Sequence, residues 1–221
     1  MIELKDLTKT YRTDTIETTA LNNINLRIPE GSFIAIKGPS GCGKTTLLNI
    51  LGLMDRPSNG QVTVMGKNTS SISDKELSRL RRQSIGFLFQ KFNLISSLTV
   101  FENVELPLLY QKLPAATRKT KVDAMLKQLG LEARTGHFPH QLSGGQQQRV
   151  GLARCVIHDP RLILADEPTG NLDSKNGEEV MRLLSELHQD GRTIVMVTHD
   201  DRYAAYADKV IEMSDGCFVE I

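Results

Sequence analysis

The chain has 221 residues, 39% of them hydrophobic, with 27 Lys and Arg against 26 Asp and Glu and a formal net charge of +1. That length suits one large α/β domain with an insertion, or at most two small domains, and it can bury a full core. The even charge lacks the electrostatic footprint of a dedicated nucleic-acid binder, so no nucleic-acid partner is expected. Three well-separated cysteines, Cys42, Cys155 and Cys217, with no CxxC pair, argue against a disulfide framework or a structural zinc site and fit a reducing cytoplasm. Residues 1–7 lack the charged start and apolar core of a leader, and no apolar run approaches the ~20 residues that cross a bilayer. Any membrane role is therefore expected to come through a partner.

In chain order, alternation at Ile24, Leu26 and Ile28 and the run Phe33, Ile34, Ala35, Ile36 predict strands parted by a turn at Pro29, Glu30 and Gly31. Residues 45–53 read as a helix, Ser58, Asn59 and Gly60 as a turn, and Val62 and Val64 as part of a strand. A helix over 74–82 precedes the short apolar strand Ile85–Phe89, which ends at Gln90. From 91 to 141 the β-branched runs vanish, and Pro107, Pro114 and Pro139 divide segments with helical spacing, notably 115–129, which predicts a helical insertion. The α/β order resumes with a helix from Gln146 to near Ile157, a strand over 162–165, a helix over 174–189 and a strand over 193–197. Val210–Met213 and Phe218–Ile221 are expected to add edge strands.

Gly38, Pro39, Ser40, Gly41, Cys42, Gly43, Lys44 and Thr45 fit GxxxxGK[ST] between a β-branched strand and a helix, the setting in which that pattern cradles phosphates. Glycines let the backbone wrap the oxygens, Lys44 can reach the β and γ phosphates, and the Thr45 hydroxyl can ligate Mg²⁺. Further on, Leu142, Ser143, Gly144, Gly145 and Gln146 mark a second helix start that can turn N–H groups and a positive helix end toward a phosphate. The strand over 162–165 delivers Asp166 and Glu167 to its C-terminal end, where open α/β sheets bind ligands. Asp166 is expected to hold the metal and Glu167 to act as general base. Gln90 can offer its amide oxygen to the metal or to water, and His199, after the strand over 193–197, can bond the γ phosphate; in isolation each reads as an ordinary polar cap, and only the spacing relative to the other motifs lifts them.

The ordered set GPSGCGKT, Gln90, LSGGQ, LILADE, Asn171, Leu172, Asp173 and His199 resembles an ABC-type ATPase over nearly the whole chain. The segments GFLFQKFNL, ENVELPL, LSGGQQQRV and ADEPTGNLD are similar to the macrolide-export, lipoprotein-release and cell-division group of MacB, LolD and FtsE. The resemblance implies an α/β P-loop NTPase core with a mostly parallel sheet, an N-terminal antiparallel β subdomain and an inserted α-helical subdomain. It divides the single domain 1–221 into a core at 1–90 and 158–221 and a helical subdomain at 91–157. By the same resemblance Tyr11 would stack on adenine, Thr46 would touch the α phosphate and Asp173 would signal between subunits. ATP and Mg²⁺ are the implied cofactors. The implied partners are a second copy, paired head to tail so that Ser143, Gly144 and Gly145 close over its nucleotide, and a membrane permease docking near Gln90 and 91–110. The chain would then sit in the cytoplasm against the membrane.

Cys42 stands where much of that family has serine, which leaves two readings: a reactive thiol in the phosphate loop, or a small filler whose backbone N–H does the work. Rival functions are a soluble clamp or scaffold ATPase, an ATP-switched recruitment module, and a small-molecule kinase. Coiled-coil or zinc insertions and a second cassette are missing for the first, and nothing in the last explains LSGGQ.

Overall fold

A computed structural model describes residues 1–13 and 15–219. Strands β1 (Ile2–Arg12) and β2 (Glu17–Ile28) pair antiparallel, with Ile2 opposite Ile28 and Leu4 opposite Leu26. β1 has no clear signature in the sequence because register shifts between Leu4 and Thr10 break the two-residue period. There follow β3 (Phe33–Lys37), α1 (Lys44–Leu51), β4 (Asn59–Val64), β5 (Lys67–Asn68), α2 (Asp74–Ser84) and β6 (Ile85–Phe89). The helical stretch holds α3 (Val100–Leu109), α4 (Ala115–Gln128) and α5 (Gly144–Val156). The chain closes with β7 (Leu162–Asp166), α6 (Ser174–Gln189), β8 (Thr193–Thr198), α7 (Asp201–Ala204), β9 (Lys209–Ser214) and β10 (Cys217–Phe218).

One sheet runs β2-β1-β4-β5 and is antiparallel; the other runs β10-β9-β3-β8-β7-β6 and is parallel from β9 to β6. Period-2 alternation splits the parallel strands between two cores. Phe33, Ala35, Ile163, Ala165, Ile194 and Met196 face the helical side with α3, α5 and α6, whereas Ile34, Ile36, Leu162, Leu164, Val195 and Val197 face α1 and the antiparallel sheet. Burying both faces is what the continuous apolar runs of β3, β7 and β8 require, at ~1.5–3 kcal/mol for each large aliphatic side chain.

Four boundaries depart from the sequence reading. Asn59 and Gly60 open β4 rather than forming a turn, Gly60 taking φ 87 where an added Cβ would lie 2.4 Å from Asp6 O. Pro107 lies inside α3 instead of ending it: the helix starts from a Thr99–Glu102 capping box and stops two residues after the proline, so the ladder bond the proline removes falls in the last turns. α5 starts at Gly144, two residues before Gln146. β9 is no edge strand: it lies between β10 and β3, and only β10 forms that edge. Glu220 and Ile221, the end of the expected last strand, lie outside the described residues. Among the described residues, no helix is long and apolar enough to cross a membrane.

Candidate functional site

The parallel register brings four strand ends to one edge. Lys37 of β3 lies opposite Thr198 of β8, Val197 opposite Asp166 of β7, and Asp166 opposite Phe89 of β6. The next residues in each strand's path are the glycine loop, His199, Glu167 and Gln90, so motifs far apart in sequence meet at the C-terminal edge, where such sheets bind ligands.

The loop from Gly38 to Gly43 is shaped by close approaches. A Cβ on Gly38 would meet Met213 O at 2.1 Å, and one on Gly43, at φ 105, would meet Ala20 O at 2.4 Å. Helix α1 starts from Gly43 with no side-chain cap, unlike α2, α5 and α6, which Ser73, Ser143 and Asp173 cap. Its first-turn N–H groups thus point out with the positive end of the helix dipole. Lys44 is buried, its Nζ donating to Gly38 O (2.7 Å) and Pro39 O (2.8 Å) across the loop. These groups wall a cavity of about 410 Å³ with Ser40, Gly41, Thr45, Thr46, Gln90, Asp166 and Glu167. Ala20 of β2 completes the wall, and no feature of the sequence marks it out.

Asp166 and Glu167 are adjacent, and successive strand residues point to opposite faces. The structure turns both toward the cavity because Glu167 leaves the strand at φ 43, its N–H donating to Val197 O at 3.0 Å. A left-handed conformation in a residue with a Cβ costs about 1 kcal/mol or more, a strain that concentrates at functional sites. The Thr45 hydroxyl lies 3.3 Å from both Asp166 oxygens. Burial pushes the Asp166 carboxyl above its ordinary 3.8; the Thr45 hydroxyl opposes this, the Glu167 charge adds to it and Lys44 opposes it. Hydroxyl, carboxylate and amide oxygens are hard donors that fit Mg²⁺, which takes few protein ligands and keeps waters and phosphate oxygens. Among the described residues no cluster of three His, Cys, Asp or Glu competes as a metal site.

His199 is exposed and its Nδ1 lies 3.2 Å from Glu167 Oε1, so the two are brought together, with His199 on an adjoining hollow beside Gly38 and Pro39. Gln90 reaches the cavity, and its backbone carbonyl accepts from Asn171 Nδ2 at 2.9 Å; an added Cβ on Gly170 would lie 2.7 Å from its Nε2. The loop after Glu167 thereby holds Gln90 in place, a link that no sequence spacing reveals.

Cys42 has the placement of a filler. It is 4% exposed, its side chain joins the core beneath the loop, and its Sγ lies 3.8 Å from Lys44 Nζ. Tyr11 stands apart from the phosphate cavity on β1: its hydroxyl donates to Asp55 Oδ2 at 3.0 Å, and Lys9 Nζ lies 4.9 Å from its ring centre. Asp55 is pushed up by burial, but hydrogen bonds from Lys9, Tyr11 and the Arg56 N–H outweigh that and hold it below the ordinary carboxylate range.

Ser143 to Gln146 do not line this chain's own cavity. Ser143 caps α5, its Oγ accepting from Gln146 N (3.3 Å) while Gln146 Oε1 accepts from Ser143 N (3.0 Å), which leaves Gly144 and Gly145 N–H outside the box. Gly145 is required by packing: its Cβ would fall 2.1 Å from Asn176 Oδ1. Asn176 in turn binds Asp173, which caps α6 and is held below its ordinary value chiefly by the Asn176 N–H. A fully buried Gln148 donates to Pro168 O, tying α5 to the turn after Glu167.

Comparison with known proteins agrees with this geometry. The ABC transporter family profile matches residues 21–170. An uncharacterized ABC transporter ATP-binding protein of Methanocaldococcus jannaschii is 51% identical over 221 residues, covering 100% of this chain and 99% of that protein. The macrolide export ATP-binding/permease protein MacB of Hyphomonas neptunium is 49% identical over 98% of this chain, which spans only 34% of that relative's length. A solved ATP-binding cassette in a dimeric post-hydrolysis state bound to ADP and Pi has a TM-score of 0.93 at 46% identity, covering 100% of this chain and 97% of its own. The chain belongs to the ABC transporter family, as the component that binds and hydrolyses ATP.

Proposed function

We propose that two copies of the chain pair head to tail on ATP, each completing the other's site, and that the pair works a membrane permease from the cytoplasmic face of the membrane. The loop N–H groups, the uncapped start of α1 and Lys44 bind the β and γ phosphates; Thr46 takes the α phosphate and Tyr11 stacks on adenine. Thr45, Asp166 and Gln90 hold Mg²⁺, which supplies positive charge that neutralises phosphate oxygens. Glu167 takes a proton from the attacking water, and His199 orients Glu167 and bonds the γ phosphate. Ser143, Gly144, Gly145 and Gln146 cover the nucleotide of the other copy, and Asp173 lies where the copies sense each other.

The observation that carries the reading is the φ of 43 at Glu167, which turns two adjacent carboxylates into the cavity that holds Lys44 and Thr45. The position of Ser143 to Gly145 outside that cavity supports action on a second copy. So does the solved dimeric cassette with a TM-score of 0.93. A permease partner is supported by the MacB relatives, each an ATP-binding/permease protein of which this chain spans about a third. It is further supported by an apolar groove of about 440 Å³ walled by Phe87 and by Phe89, the residue before Gln90, together with Ile95, Leu106 and Tyr110 of the 91–110 segment expected to dock one.

Glu167→Gln removes the base and keeps the shape. With Mg²⁺ and ATP it should elute from size-exclusion chromatography as a dimer and release no phosphate, whereas ADP should leave it monomeric. A monomer under all conditions would overturn the paired site.

A further inference from the structure

The mechanism leaves Arg154 unused, yet its guanidinium is held by two backbone carbonyls beside the site. It sits in the last turn of α5, the helix that begins at Ser143. Among the described residues no carboxylate pairs with it, whereas Arg149, earlier on the same helix, pairs with Glu179. Instead Nη1 of Arg154 donates to Asn93 O at 2.7 Å and Nη2 to Phe92 O at 2.9 Å. Burial lowers the Arg154 pKa, so the guanidinium gives up water for these carbonyls.

The two carbonyls belong to an uncommon turn. Phe92 has φ 57 and Asn93 φ 47, two consecutive residues with side chains in the left-handed region, directly after Gln90 and Lys91. L-residues visit that region singly and at a cost, so a pair persists only where surrounding groups over-determine it. Here a planar guanidinium, which offers donors in a fixed fork, spans both carbonyls at once, and the turn lies against α5 at Gly151, where an added Cβ would sit in ordinary contact 3.6 Å from Phe92 O.

We propose that Arg154 is a positioning residue for Gln90: by bridging Phe92 O and Asn93 O it holds the left-handed turn that aims the Gln90 amide into the phosphate cavity. Arg154 and Asn93 also line the apolar groove, so the same contact joins α5 to the groove wall. The inference rests on the reading of Gln90 as a metal-holding side chain.

The test uses Mn²⁺ in place of Mg²⁺, titrated by electron paramagnetic resonance into the ATP-loaded Glu167→Gln protein, where no turnover intervenes. Arg154→Met and Gln90→Ala, each added to Glu167→Gln, should weaken Mn²⁺ binding by about tenfold, the scale for losing a ligand's support, and the two together should add little more. Arg154→Lys, which can reach one carbonyl, should fall between. Hydrogen exchange at residues 91–94 in the nucleotide-free chain should quicken in Arg154→Met, while exchange in β7 and β8 stays slow, so that global unfolding is set apart from a loosened turn. If Gln90→Ala weakens Mn²⁺ binding and both Arg154 variants match the parent, Arg154 does not position Gln90. If Gln90→Ala itself matches the parent, the metal role of Gln90 fails and the proposal fails with it.

Discussion

Replacing Ser143 by alanine separates what the second glycine-rich helix start does for this chain from what it does for a second copy. Within the chain the change deletes one acceptor, the Oγ that receives Gln146 N at 3.3 Å, and leaves Gln146 Oε1 on Ser143 N at 3.0 Å. Loss of an N-cap side chain costs ~1 kcal/mol. For a chain of this size that lowers the melting temperature by ~2–4 °C, so the protein stays folded at 25 °C. Ser143 does not line the cavity around Lys44, so nucleotide affinity of the isolated chain should be unchanged. Hydrolysis should drop far more, by ~10²-fold, the scale for removing a preorganised donor from a charge-stabilising site. Calorimetry, fluorescent-nucleotide titration of dilute protein and steady-state phosphate release measure the three quantities. An equal loss of nucleotide affinity and turnover would refute the assignment of Ser143 to the other copy's site. Gly145→Asp is a poorer probe, because its side chain must displace Asn176, whose Nδ2 bonds Asp173 at 2.8 Å, and so mixes local damage with lost function.

Glu167→Gly removes both the proposed base and the left-handed strain at φ 43. It should abolish hydrolysis yet raise the melting temperature by ~2–4 °C, for about 1 kcal/mol of relieved strain; a lower melting temperature would show that the conformation carries no penalty. Thiol titration tests the placement of the cysteines: Cys42 and Cys155 are buried, and burial pushes the Cys155 thiol up to about 12, while Cys217 is half-buried. One thiol of three should react in the native chain at pH 8, and all three after unfolding; rapid native labelling of Cys42 would contradict its place in the core.

Much of the site was legible because its chemistry requires residue types at short, fixed spacing. A loop that wraps phosphates needs glycines at 38, 41 and 43 and a lysine at 44, and the paired carboxylates follow directly on an apolar strand. The β3, β7 and β8 runs likewise announce strands buried on both faces. What escaped the sequence is what bulges, long-range pairing and side-chain direction decide. β1 is hidden by its register shifts, and β9 looks like an edge strand although it sits between β10 and β3. Cys42 turns its side chain inward, Ala20 closes the cavity from a distant strand, and Gln148 and Arg154 tie α5 to the loops after Glu167 and Gln90.

By itself the sequence determined the phosphate loop, the carboxylate pair, the second helix start and the family they define, since each rests on local geometry written in consecutive residues. Only the tertiary structure decided that Glu167 bends back beside Asp166, that Ser143 to Gly145 stand outside their own chain's cavity, and that α5 grips the loops after Glu167 and Gln90. Those relations depend on parallel strand register and close packing between residues tens of positions apart, and no local pattern encodes them.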